Sequence, residues 1–129
     1  MRVAIIGSRG LTVDNLGQYL PASTDEIVSG GAEGVDASAA AYAKEHDILL
    51  TEIRPDYKRY KKGAPLRRNL EIISRADRVL AFWDGHSRGT LYTIEACRKR
   101  CVPIRIFLYI ENLWSKCHKL PPALTQRLK

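Results

Sequence analysis

Five short apolar runs, separated by stretches of helical period, constrain this 129-residue chain more than any other feature. The runs are RVAII (2–6), EIVS (26–29), ILLTEI (48–53), RVLAFW (78–83) and PIRIFLY (103–109). None alternates cleanly between apolar and polar residues, which is the pattern of strands covered on both faces. Between them, VDASAAAYAKEH (35–46) carries an acid near its start and Lys44 near its end, as suits the helix dipole. APLRRNLEIISRA (64–76) places Leu66, Leu70 and Ile73 at helical spacing, and GTLYTIEACRKR (89–100) does the same with Leu91, Ile94 and Cys97. A further helix is expected over 11–20. Strand and helix alternating in this way predict one three-layer α/β domain over residues 1–109, with a mainly parallel five-stranded sheet. The tail, 110–129, is less regular and ends in LPPALTQRLK; it reads as an appendage, a short packed helix or a partner contact.

Composition then narrows the setting. No apolar run approaches the roughly 20 residues of a membrane span, and VAII, followed at once by glycine, is too short for a signal peptide. The reading expects no membrane association and a cytoplasmic, reducing location. There the odd set Cys97, Cys101 and Cys117 would be free thiols, with Cys97 and Cys101 on one helical face. With His118 they show no standard ligand spacing, so neither metal nor cofactor is expected. The net charge of +7, from 21 Lys and Arg against 14 Asp and Glu, favours an anionic partner such as a nucleotide or nucleic acid.

Ligands of parallel sheets bind beyond the carboxyl ends of the strands. GSRG (7–10) follows the first run, SGGAEGVD (29–36) the second and DGHSRGT (84–90) the fourth. Glycines let backbone N–H groups approach an anion, and a helix N-terminus behind the loop adds partial positive charge. The ligand-binding candidates are therefore Gly7, Ser8 and Arg9; Ser29, Gly30, Gly31, Gly34 and Asp36; and Asp84, Gly85, Ser87, Gly89 and Thr90. Arg68 and Asn69, entering a helix near the same edge, join them. Asp36 is either a ribose or catalytic carboxylate or a first-turn acid, and Asp84 either a catalytic carboxylate or a turn former. Trp83 could stack on a base or pack in the core, and His86 reads as an exposed loop residue. GxGxxG after the first strand and the Walker GK[ST] are both absent. YKRYKKGAPLRR (57–68) holds six basic residues and two tyrosines; it reads as an exposed loop before a helix, a lid over the pocket or a nucleic-acid contact.

Taken together, GSR, VSGGAEGVD, RRN and ADRVLAFWDGHSRGT resemble the SLOG superfamily over about residues 1–108, and among its branches the YspA-like domains most closely. That group includes the DNA-processing protein Smf/DprA and the Lonely Guy phosphoribohydrolases. The resemblance implies a Rossmann-like fold that binds a nucleotide or nucleotide-derived ligand, as a sensor or binder. Its alternatives are single-stranded nucleic-acid binding, as in Smf/DprA, and N-glycosidic phosphoribohydrolase activity. It also implies a homodimer paired across a helix face. Against the Lonely Guy pattern, Arg68 falls at the arginine position, but DGHSR replaces PGG and Thr93 stands at the glutamate position. Glu95, two residues on, lies about 200° around the helix and would point elsewhere.

Overall fold

A computed structural model describes residues 1–109 and the backbone of residues 124–128. Five strands run parallel: β1 (Arg2–Gly7), β2 (Glu26–Ser29), β3 (Leu49–Glu52), β4 (Arg78–Trp83) and β5 (Ile104–Leu108). A sixth, β6 (Leu124–Leu128), pairs antiparallel with β5, and the sheet order among the described residues is β3-β2-β1-β4-β5-β6. The sheet is thus mainly parallel, and the fold is the expected Rossmann-like α/β arrangement. Cys117 and His118, and the tail reading for 110–123, lie outside the described residues.

The unbroken apolar strands are explained by cover on both faces. Val3 and Ile5 of β1 face one core with Val35, Ala39 and Ala43 of α1 (Val35–Glu45). Ala4 and Ile6 face the other, with Ile72 and Ile73 of α3 (Ala64–Arg75) and Ile94 and Cys97 of α4 (Arg88–Lys99). Between β3 and α3, Tyr57–Tyr60 forms one short helical segment, α2, started by the Asp56 carboxylate accepting from the Arg59 amide at 3.2 Å.

Three local expectations need correction. Residues 11–20 form only one 3₁₀ turn, Leu16–Gln18. The segment is held by tertiary contacts instead: Val13 and Leu16 are buried against α1, the Val13 amide donates to Ser38 Oγ at 3.0 Å, and Gly17 lies against the Tyr42 hydroxyl. The buried face of α3 is Ala64, Arg68, Ile72 and Ile73, and Leu66 is exposed. The Arg68 guanidinium satisfies carbonyls beneath the helix, so a charged residue takes the inward position that leucine was expected to hold. On α4, Thr90, Thr93, Ile94 and Cys97 face inward and Leu91 outward.

Cys97 and Cys101 do not share a helix face. Cys97 is buried, which pushes its thiol up to about 11, whereas Cys101 is exposed just past the end of α4 at φ 57°. There the Cys101 amide donates to the Arg98 carbonyl and the Val102 amide to the Cys97 carbonyl, closing the helix with a Schellman motif.

Candidate functional site

From β1 the chain runs outward through β2 and β3, then returns to β4 on the opposite side of β1. Such a switch point parts the connections leaving the two central strands and opens a crevice at their carboxyl ends. A cavity of about 300 Å³ lies there. Gly7, Ser8, Arg9 and Gly10 line it from the first loop, and Ala32 and Asp36 from the second. Arg68 and Asn69 line it from α3, with Pro65, Leu66 and Ile72, and Ser87, Gly89 and Thr90 close it from the third loop. The bends beginning at Ser29 and Asp84 therefore open on the same edge of the sheet.

The remaining candidates stand behind the cavity wall. The Gly30 carbonyl accepts from Arg68 Nη1 at 2.8 Å, and a Cβ at Gly30 would collide with that guanidinium and with the Asp36 carboxyl. Gly34, at φ 69°, lies so close to the Arg9 carbonyl that no side chain fits. The Gly31 carbonyl accepts from Arg54 Nη1 at 3.2 Å. These glycines let the second loop pack against Arg68, Arg54 and the first loop; the amide cradle expected of them is not what they line.

Asp84 and Gly85 also lie outside the cavity lining. The Asp84 carboxylate accepts from the amides of His86 and Ser87, each at 2.8 Å, and from the Ser87 hydroxyl at 3.1 Å. Burial opposes its charge, but these bonds outweigh it and hold the carboxyl below its usual range. Ser8 joins this loop to the first: its buried Oγ accepts from the Asp84 amide at 3.1 Å and lies 2.9 Å from the Ser87 Oγ, within hydrogen-bond distance. Asp84 is thus a turn former by geometry. Trp83 is tied into the same turn, its indole N–H donating to the Ser87 carbonyl at 3.0 Å, while His86 is exposed.

Asp36 and Arg68 form the electrostatic centre. Burial pushes the Asp36 carboxyl above its usual range; the Ala32 amide, Arg68, the Ser29 hydroxyl and Arg9 partly offset that. Ser29 lies beside this carboxyl, fully buried, but its hydroxyl makes no well-formed hydrogen bond among the described residues. Burial also pulls the Arg68 guanidinium downward, with Asp36 opposing the shift; it stays charged, as arginine does in proteins. Arg68 Nε donates to Asn69 Oδ1 at 2.8 Å and Nη1 also reaches the Ile53 carbonyl at 3.3 Å, leaving Nη2 without a protein partner among the described residues. Arg9 is exposed on the rim, outside any ion pair among the described residues. Sequence reasoning missed Arg54, although its place just beyond the end of β3, at the same sheet edge, was a usable signal.

At the Lonely Guy glutamate position, Thr93 is buried and its hydroxyl donates back to the Gly89 carbonyl at 2.9 Å. Glu95 is exposed. Basic residues 57–67 lie on the surface beside the cavity, where Arg59 and Arg67 both approach the Tyr60 ring, at 5.2 and 4.9 Å.

Fold and crevice together define a Rossmann-like domain with a charged, glycine-walled pocket at its switch point. Residues 1–60 match the model of the YspA, cpYpsA-related SLOG family, in agreement with the resemblance carried by the motifs. Among solved structures, the chain is similar to DNA processing protein A from Helicobacter pylori, described for its single-stranded DNA binding mode. The TM-score is 0.65 at 25% identity, covering 88% of this chain and 66% of that one, so the chain spans just under two thirds of that relative's length. No curated protein matches the chain. No helix among the described residues is long and apolar enough to cross a membrane.

Proposed function

We propose that the cavity binds a nucleotide or nucleotide-derived molecule through its phosphate. The observation that carries this reading is Arg68. Its guanidinium is buried and fixed by two backbone carbonyls and Asn69, yet keeps one nitrogen unspent at the cavity wall. Arginine held in this way is prepaid for an anion, because its rotamer entropy is already lost and its planar fork matches phosphate oxygens. Arg9 supplies a second cation at the rim, and the hydroxyl of Thr90 supplies a neutral donor. A cavity of about 300 Å³ lies at the small end of ligand pockets, in keeping with a mononucleotide-sized occupant. Phosphoribohydrolase chemistry is left out of the proposal because Thr93 occupies the acid position.

Calorimetric screening of nucleotides against the full chain tests it. A ligand should be found whose affinity falls at least about tenfold on Arg68→Ala, the loss of one charged hydrogen bond. Gly31→Val, which forces a β-branched residue to φ 71°, should weaken the same ligand. Binding indifferent to both substitutions would place the ligand elsewhere.

A second reading, single-stranded nucleic-acid binding, is favoured by the likeness to DNA processing protein A and by the basic surface around Tyr60. It predicts affinity for oligonucleotides that falls steeply with salt as counterions are released. A flat salt dependence would remove it.

A further inference from the structure

We infer that Asp36 selects ligands that carry free sugar hydroxyls, so that the site takes a ribonucleoside phosphate with an unesterified diol in preference to bare phosphate or a deoxynucleotide strand. The inference rests on the nucleotide reading above and specifies its substrate class.

Among the described residues, Asp36 is the only acid lining a cavity whose other polar side chains include Arg9, Arg68, Ser87 and Thr90. An ionised carboxylate only accepts, with about four lone-pair sites. Asp36 is 7% exposed, and among the described residues one hydrogen bond reaches it, from the Ala32 amide to Oδ2 at 3.1 Å. Oδ1 accepts none. Arg68 does not close the gap: it spends Nη1 on the carbonyls of Gly30 and Ile53 and Nε on Asn69, and no ion pair with Asp36 forms. An acceptor left short of donors at a cavity wall is stabilised by a ligand that donates to it.

Phosphate oxygens cannot donate and are repelled by the carboxylate. Sugar hydroxyls donate, and a ribonucleotide places them a few bonds from its phosphate, so one molecule serves both Arg68 and Asp36. Internal residues of a DNA strand have no 2′-hydroxyl, and their 3′-oxygen is esterified. The upward push of burial on the Asp36 carboxyl fits the same picture of a charge short of donors.

Calorimetry on the full chain decides, using each of the four ribonucleoside 5′-monophosphates beside its 2′,3′-dideoxy counterpart. The ribonucleotide that binds should do so at least about tenfold more tightly than its dideoxy form, as sites built around a hydroxyl reject analogues lacking it. Asp36→Ala should bring that ratio close to one. Asp36→Asn, which keeps the shape and an acceptor oxygen, should reduce it at least about threefold, and guards against a variant that fails to fold. Equal affinities in the unaltered protein would overturn the inference and leave nucleotide binding standing. A ratio that survives both substitutions would overturn the role of Asp36. Failure of all eight compounds to bind would overturn this inference, and failure of the wider nucleotide screen as well would overturn the nucleotide reading.

Discussion

Arg68 donates through Nη1 to the carbonyl of Gly30 at 2.8 Å, across 38 residues of chain. The contact joins α3 to the loop after β2 and fixes the guanidinium at the cavity wall. It requires the absence of a side chain at Gly30, since a Cβ there would meet Arg68 and lie 2.9 Å from Asp36 Oδ2. Gly30→Ala should therefore both unseat Arg68 and destabilise the fold by about 1–3 kcal/mol, the usual cost of overpacking. Thermal unfolding should show a drop of several degrees, and nucleotide affinity should fall with it. A variant as stable and as tight-binding as the parent would show that Arg68 moves aside freely.

Ser8 bridges the first and third loops, 76 residues from the Asp84 amide it accepts. Ser8→Ala leaves that amide without its acceptor and Ser87 without one of its partners. The expected loss is about 1–3 kcal/mol, read from urea unfolding. Ser8→Thr, which keeps a hydroxyl but adds a methyl to a fully packed position, should recover only part of it.

Asp36 and Asp84 should respond to pH with opposite signs. Asp84 has its carboxyl held below the usual 3.8, so its stabilising contribution is present above about pH 4 and is lost as pH falls through the folded value. Asp36 has its carboxyl raised above 3.8, so its contribution is present in acid and is lost as pH rises through the folded value. As pH rises above about 4, Asp36→Asn should gain in stability relative to the parent. Below about pH 4, Asp84→Asn should close part of its deficit relative to the parent as the parent carboxylate protonates. Denaturant midpoints at several pH values check both; parallel curves for parent and variant would contradict them.

Cys101 occupies the left-handed position that ends α4, at φ 57°, where glycine costs less than any residue with a Cβ. Cys101→Gly should raise stability by a few tenths to about 1 kcal/mol, with both closing hydrogen bonds retained. A fall in melting temperature would mean that the exposed thiol makes a contact beyond the described residues.

Alternation of apolar runs with helical periods was enough to give the order of β1 to β5 and the helices α1, α3 and α4. Val-, Ile- and Leu-rich runs covered on both faces are a property of local composition. Parallel strands share a direction, so the same reading places all three glycine loops at one sheet edge. The roles inside the site were not legible, because each depends on a partner far along the chain. Arg68 turns inward because carbonyls from Gly30 and Ile53 await it there, whereas periodicity alone assigns the inward face to Leu66. Asp84 is consumed by its own turn once Ser8 anchors that turn from the first loop. Residues 11–20 carry apolar spacing that passes for a helix, but Ser38 and Tyr42 of α1 hold them in an irregular path. Sequence thus determined where a pocket must lie, through the fixed polarity of the sheet; tertiary packing alone decided which charges face into it, because long-range hydrogen bonds, absent from any local pattern, set the direction of each side chain.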